Sequence, residues 1–173
     1  MRGTIPAGAT QGLHLLALQQ AGTNLVLAQM PVAEKKNEIS TAPALLKTVD
    51  LQGKIISGDA MHAQRALSRQ IVKGGGDYLW FVKHNQPTLC QQLTQALADP
   101  TQLPGDALTV QEYDKGHGRI EFRQLTSSAQ LTNTLDWPYA AQAFVLRRER
   151  TNCHTGKVTS QTRCSGKVRD LLA

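Results

Sequence analysis

At 173 residues the chain suits one domain with room for a small appendage. Apolar residues at 40% and charged residues at 18% exclude wholesale disorder, and aromatics at 5% leave the core to Leu, Val, Ile and Ala. Nineteen basic against thirteen acidic residues give a formal charge of +6, a surplus that favours a polyanionic partner such as nucleic acid but equally fits a basic protein with no such partner.

In chain order, Leu13 to Leu18 and Leu25 to Val32 are short apolar runs around Ala21-Gly22-Thr23-Asn24, the pattern of a β-hairpin. Ile39, Ala42, Leu45, Leu46 and Val49 then recur at helical spacing, and Pro43 places the helix start near Thr41, since proline is tolerated in a first turn. Lys54 to Ala60 reads as a buried strand delivering Asp59 at its carboxyl end. Ala63 to Val72 is a helix stopped by Gly74-Gly75-Gly76, Asp77 to Lys83 is a strand, and Pro87 to Leu97 is a helix. Strands alternating with helices in this way predict an α/β sheet with a parallel portion.

Pro100, Pro104 and Gly105 mark a change of texture. Beyond them Leu108 to Tyr113, Ile120 to Leu125, Ala143 to Arg150 and Lys157 to Arg163 read as strands, so residues 1–98 and 99–173 are expected to form an α/β core and a β-rich extension. Cys90, Cys153 and Cys164 are odd in number and form no CxxC pair, which argues against a disulfide framework or a zinc ribbon and fits a reducing cytosol. No stretch reaches the roughly 20 apolar residues of a membrane span, and the start carries no signal-peptide run. A cytoplasmic location is the expectation.

Four groups of residues could carry chemistry. Asp59, at the carboxyl end of a central strand, stands where open α/β sheets place their ligand sites, or it caps the following helix. Lys83, Asn85 and Gln86, at the same sheet edge, could contact phosphates, or the latter two could cap the helix at Pro87. Arg119, Glu121 and Arg123 alternate onto one strand face, either as a phosphate-holding row or as a solvated ladder of ion pairs. The charged run Glu34 to Glu38 and the basic patch Arg147 to Arg150 could add further groups, or be ordinary surface.

Taken together, the runs LHLLAL, LVLAQMPVAEKKNEI, APALLKTVDLQGKIISGDAMHAQ, IVKGGGDYLWFVKHNQPTL and HGRIEFR resemble the ISAs-type, or H-repeat-associated, insertion-sequence transposases of the DDE class over roughly residues 1 to 163. The resemblance implies a ribonuclease-H-like mixed sheet flanked by helices, in which three carboxylates hold two Mg²⁺ ions for DNA strand cleavage and transfer at transposon ends. Asp59, in Gly58-Asp59-Ala60-Met61, matches the family's second aspartate. The first, in an Asp-Gly-Lys segment ahead of the pair matched by Arg2-Gly3, falls before Met1, and no His-Trp-x-Ile-Glu-Asn helix supplies the third. Glu121 is the substitute candidate. Lys36 stands where the family usually has Ser, and the run from Arg163 to Asp170 departs from the family's aromatic-rich strand and is expected to be an atypical tail. The expectation is a DNA-binding chain, compatible with homo-oligomer formation, inactive alone and marginally stable, because a missing first strand would leave its neighbours' edges open.

Overall fold

The computed structural model describes residues 14–33, 37–82, 85–98, 104–130 and 135–167, with side chains as far as 162. The expected positions Lys83 and Glu34 to Lys36 lie outside the described residues.

The chain opens with β1 (Leu15–Gln19) and β2 (Val26–Pro31), antiparallel through Leu15 opposite Pro31 and Leu18 opposite Ala28. Helix α1 (Glu38–Leu46) follows. It begins three residues earlier than the expected Thr41, because Asn37 starts it with a capping box. Asn37 Oδ1 accepts from the Ser40 amide at 3.0 Å, and Ser40 Oγ accepts from the Asn37 amide at 3.2 Å. Two orphan amides are thereby satisfied, and Pro43 falls inside the helix rather than in its first turn.

Next come β3 (Ile55–Gly58), a 3-10 turn at Ala60–His62, α2 (Arg65–Lys73), β4 (Asp77–Val82) and α3 (Pro87–Ala98). The glycine run between α2 and β4 does more than stop a helix. Gly75 takes φ +78°, and a Cβ on Gly76 would stand 2.8 Å from the Leu51 carbonyl, so only glycine lets these two loops pass. The remaining strands are β5 (Leu108–Gly116), β6 (Arg119–Ser128), β7 (Gln142–Asn152) and β8 (Val158–Lys167).

The sheet runs β3-β4-β8-β7-β6-β5, with β3 and β4 parallel and every other pair antiparallel. Residues 164–167, expected to be an atypical tail, lie at its centre. Cys164 to Lys167 pair with Val82 to Leu79 on one side, and Lys167 to Cys164 pair with Gln142 to Val145 on the other. The change of texture near residue 98 falls between α3 and β5, yet β8 returns to β4 and makes the sheet continuous across it.

Parity along the strands explains the core. Tyr78, Trp80 and Val82 alternate inward on β4, and Trp80, Gly166 and Ala143 share a register row, so all of these face one side. Leu67 and Ile71 of α2 and Leu93 and Leu97 of α3 cover that side, with Ala42 and Leu46 of α1 and with Ile56 and Val145. Trp80 satisfies its indole by donating Nε1–H to the fully buried Ser68 Oγ at 3.0 Å. The opposite face, carrying Phe81, Phe144, Glu121 and Arg148, bears no helix of its own among the described residues. The hairpin β1–β2 forms a separate two-stranded sheet. A groove of about 580 Å³, lined by Leu18 and Gln19 of β1 and by Ile55, Ile56 and Ser57 of β3, separates it from β3.

Candidate functional site

Asp59 follows β3 directly and sits at the carboxyl edge of the parallel pair β3–β4. Its Oδ1 accepts the Ala60 amide at 2.7 Å and caps the 3-10 turn, so the capping role weighed for it is present in the structure. The loop after β4 reaches the same edge, as its sequence position implied. Asn85 Nδ2 donates to the Ala60 carbonyl at 2.6 Å, and Gln86 Nε2 donates to the Ala63 carbonyl at 3.2 Å. Both side chains tie the turn that follows Asp59 to the neighbouring strand's loop.

Three residues past Asp59, His62 has a buried Nδ1 with no hydrogen-bond partner among the described residues, and its Nε2 lies 3.6 Å from Glu38 Oε2. Glu38 Oε1 is 2.8 Å from His14 Nε2. Asp59 and His62 line a pocket of about 160 Å³ with Leu16, Leu45 and Trp80. Sequence reading passed over His62, although its place one turn beyond a candidate acid was the available signal.

Glu121 stands elsewhere. β6 is separated from β3 by β4, β8 and β7, so four steps of about 4.8 Å put it roughly 19 Å away across the sheet. Gly58, Trp80, Gly166, Ala143 and Ser128 share one row, and Glu121 lies a further seven residues along β6, roughly 24 Å at ~3.4 Å per residue. Asp59 and Glu121 therefore do not share a site.

Around Glu121 four guanidiniums close in. Arg148 Nη2 and Arg123 Nη2 donate to Oε2 at 2.6 and 2.8 Å, while Arg119 Nε and Arg150 Nε lie 3.0 and 3.1 Å from Oε1. The carboxylate is 3% exposed although it sits on the uncovered face, because the arginines themselves cover it. The Arg148 hydrogen bond, reinforced by the charges of Arg148, Arg150 and Arg119, holds its pKa down to about 2 against the opposing effect of burial. Arg123 also donates to Glu112 at 3.1 Å. Thus Arg119 and Arg123, expected as DNA contacts, are brought together with Glu121, and Arg148 and Arg150 complete the ring from β7.

Two Mg²⁺ ions need several oxygen ligands between them. Asp59 already spends one oxygen on a backbone amide, and both Glu121 oxygens face guanidiniums. No cluster of three or more His, Cys, Asp or Glu side chains suited to a metal occurs among the described residues. The residues present do not fit a two-metal centre. No helix among the described residues is long and apolar enough to cross a membrane.

The family model described as Transposase DDE domain matches residues 4–157. A protein encoded in the dhlA 3′ region of Xanthobacter autotrophicus is 37% identical over 164 residues, 90% of this chain and 53% of that protein. "H repeat-associated putative transposase YbfD" of Escherichia coli K12 is 36% identical over 113 residues, covering 64% of this chain and 44% of its own length. "Putative transposase YncI" of Escherichia coli O157:H7 is 32% identical over 126 residues, 71% of this chain and 32% of its own. No solved structure matches. The chain spans about half, or less, of the length of these relatives. With the family model covering most of its length, the chain belongs to the transposase DDE domain family.

Proposed function

We propose that this chain forms part of the catalytic domain of an insertion-sequence transposase, that Asp59 is one of the domain's catalytic carboxylates, and that the chain alone does not cleave DNA. The observation that carries the reading is the placement of Asp59. It stands at the carboxyl edge of β3–β4, on a turn tied down by Asn85, beside the pocket shared with His62. A ribonuclease-H-like arrangement adds a strand between β1 and β3. The groove there supports that reading, since it is flanked by two strands that do not pair with each other and is lined mostly by aliphatic side chains. In this reading residues 1–98 are the partial core and residues 99–173 its β-rich extension, and a strand in the groove would bring its own carboxylate toward Asp59.

Cleavage in such a domain would be supplied by divalent metal chemistry at a completed carboxylate set. What the present residues do is narrower: they fix Asp59 and provide a basic sheet face for DNA. That face keeps a second reading in view, a binding module without catalysis, and the Arg119–Glu121–Arg148 cluster is the observation that favours it.

Two measurements test the proposal. In plasmid nicking with Mg²⁺ the chain alone should show no turnover above background. Robust nicking that Asp59→Asn abolishes would overturn the claim of silence. Second, residues 4–157 can replace the matching segment of a full-length relative in a marked-element excision assay. Excision by that chimera should be lost with Asp59→Asn, and equal excision by both would remove Asp59 from the catalytic set.

A further inference from the structure

Arg119, Arg123, Arg148 and Arg150 all converge on Glu121, and with Glu112 beside Arg123 these four cations face two acids, leaving two positive charges in excess. Arg123 finds a second acid in Glu112. Arg119 and Arg150 do not: among the described residues Glu121 is the one carboxylate that pairs with either. Their Nε atoms lie 3.0 and 3.1 Å from Glu121 Oε1 as ion pairs without an aligned hydrogen bond, so the guanidinium N–H donors are left for a further acceptor. Both residues line a pocket of about 270 Å³ together with Asn152, Thr155, Lys157 and Thr159. No acid lines this pocket, and the Lys157 ammonium pairs with no carboxylate among the described residues.

We propose that this pocket seats a backbone phosphate of DNA, with Arg119, Arg150 and Lys157 supplying the charge and Thr155, Thr159 and Asn152 the neutral hydrogen bonds. Glu121 is the device that makes it a site. By its charge it draws Arg119 and Arg150 to one oxygen and gathers two flexible side chains beside the pocket, so that less rotamer freedom is lost when an anion arrives. A polymer suits the surroundings better than a lone ion. Arg148 and Arg123 continue the row along β7 and β6, two residues beyond Arg150 and Glu121, or about 6.8 Å along each strand. The choice of DNA as that polymer rests on the transposase reading; the anion site itself does not.

Binding of a short fluorescein-labelled duplex, followed by anisotropy from ~50 to ~200 mM salt, tests this. The intact chain is compared with Lys157→Ala, with Thr155→Ala/Thr159→Ala and with Arg119→Ala/Arg150→Ala, each checked by circular dichroism and thermal melting. The lysine and threonine variants do not touch Glu121 and keep the test valid where the arginine pair fails to fold. Each cation that meets a phosphate should lower the log–log salt slope by about 0.9. Lys157→Ala is therefore expected to lower it by about that much, and the threonine pair to weaken binding several-fold with the slope unchanged. An unchanged slope in Lys157→Ala overturns the pocket while leaving DNA binding by the intact chain, and with it the transposase reading, in place. Saturable binding of inorganic phosphate that Lys157→Ala abolishes, with DNA affinity untouched, overturns it in favour of a free-anion site. An intact chain with no salt-dependent DNA binding removes both the pocket's assignment and the DNA-binding part of the functional reading.

Discussion

Asn85, on the loop after β4, donates its side-chain amide to the carbonyl of Ala60, the residue that follows Asp59, at 2.6 Å. The bond joins the carboxyl ends of two adjacent parallel strands through one side chain. Its consequence is positional: Asp59 caps a turn whose first carbonyl is held from outside, so the carboxylate's direction depends on Asn85 as well as on its own backbone.

Replacing Asn85 by Ala should therefore cost about 1 kcal/mol of stability, the usual net worth of such a bond plus part of the desolvation of the orphaned carbonyl. The sharper effect is local. Amides of residues 60–63 should exchange with solvent faster in Asn85→Ala, while those of β7 stay unchanged. Equal protection across both regions would show that Asn85 does not hold the turn.

A second prediction concerns the core. Ser68 is fully buried on α2 and accepts the indole hydrogen of Trp80, itself 2% exposed. Ser68→Ala removes that buried acceptor, which costs about 1–3 kcal/mol. Urea denaturation should show a lower midpoint with unchanged slope. A loss of less than ~0.3 kcal/mol would mean that the Trp80 indole finds another partner.

How much of this was legible in the sequence depends on whether the signal was local. The apolar run Tyr78 to Val82 gave β4 but not which side chains face inward, because Leu79 and Phe81 are as apolar as Tyr78, Trp80 and Val82. The edge shared by Asp59 and Asn85 was legible: two strands each followed by a turn must end on one side if they run parallel. The start of α1 was misplaced at Thr41 because Pro43 outweighed the Asn37–Ser40 capping box, whose serine is a less familiar partner than Glu or Gln. Nothing local could reveal that Cys164 to Lys167 fill the sheet's centre, since strand order is a long-range property. Nor could Glu121's second pair of arginines be read, because Arg148 and Arg150 come from a partner strand whose register was unknown.

Position in the sheet gives a third prediction. Ser165 pairs with Phe81 on one side and Phe144 on the other, so Ser165→Pro removes a ladder donor in the sheet's interior. The expected loss is about 3 kcal/mol or more, enough to unfold a marginal domain. The control is Leu108→Pro, on the edge strand β5, which should cost far less. Similar melting temperatures for the two variants would contradict a central β8.

Glu121 supplies the last prediction, on pH. Its folded pKa, about 2, lies below the ordinary glutamate value of 4.5, so folding favours the ionised form. The sign follows: the contribution is fully present above about pH 4.5, declines as pH falls and is gone below about pH 2. Glu121→Gln keeps the shape but removes the charge, leaving four guanidiniums crowded together with Glu112, which meets Arg123 alone, as their one remaining paired acid. Its melting temperature at pH 7 should fall well below that of Glu112→Gln, an exposed acid that meets only Arg123. Between pH 4.5 and 2 the intact chain should lose stability more steeply than Glu121→Gln, so the two melting curves converge on acidification. Parallel pH profiles would mean that Glu121 is no more ionised in the folded chain than in the unfolded one, and that the arginine ring does not hold it.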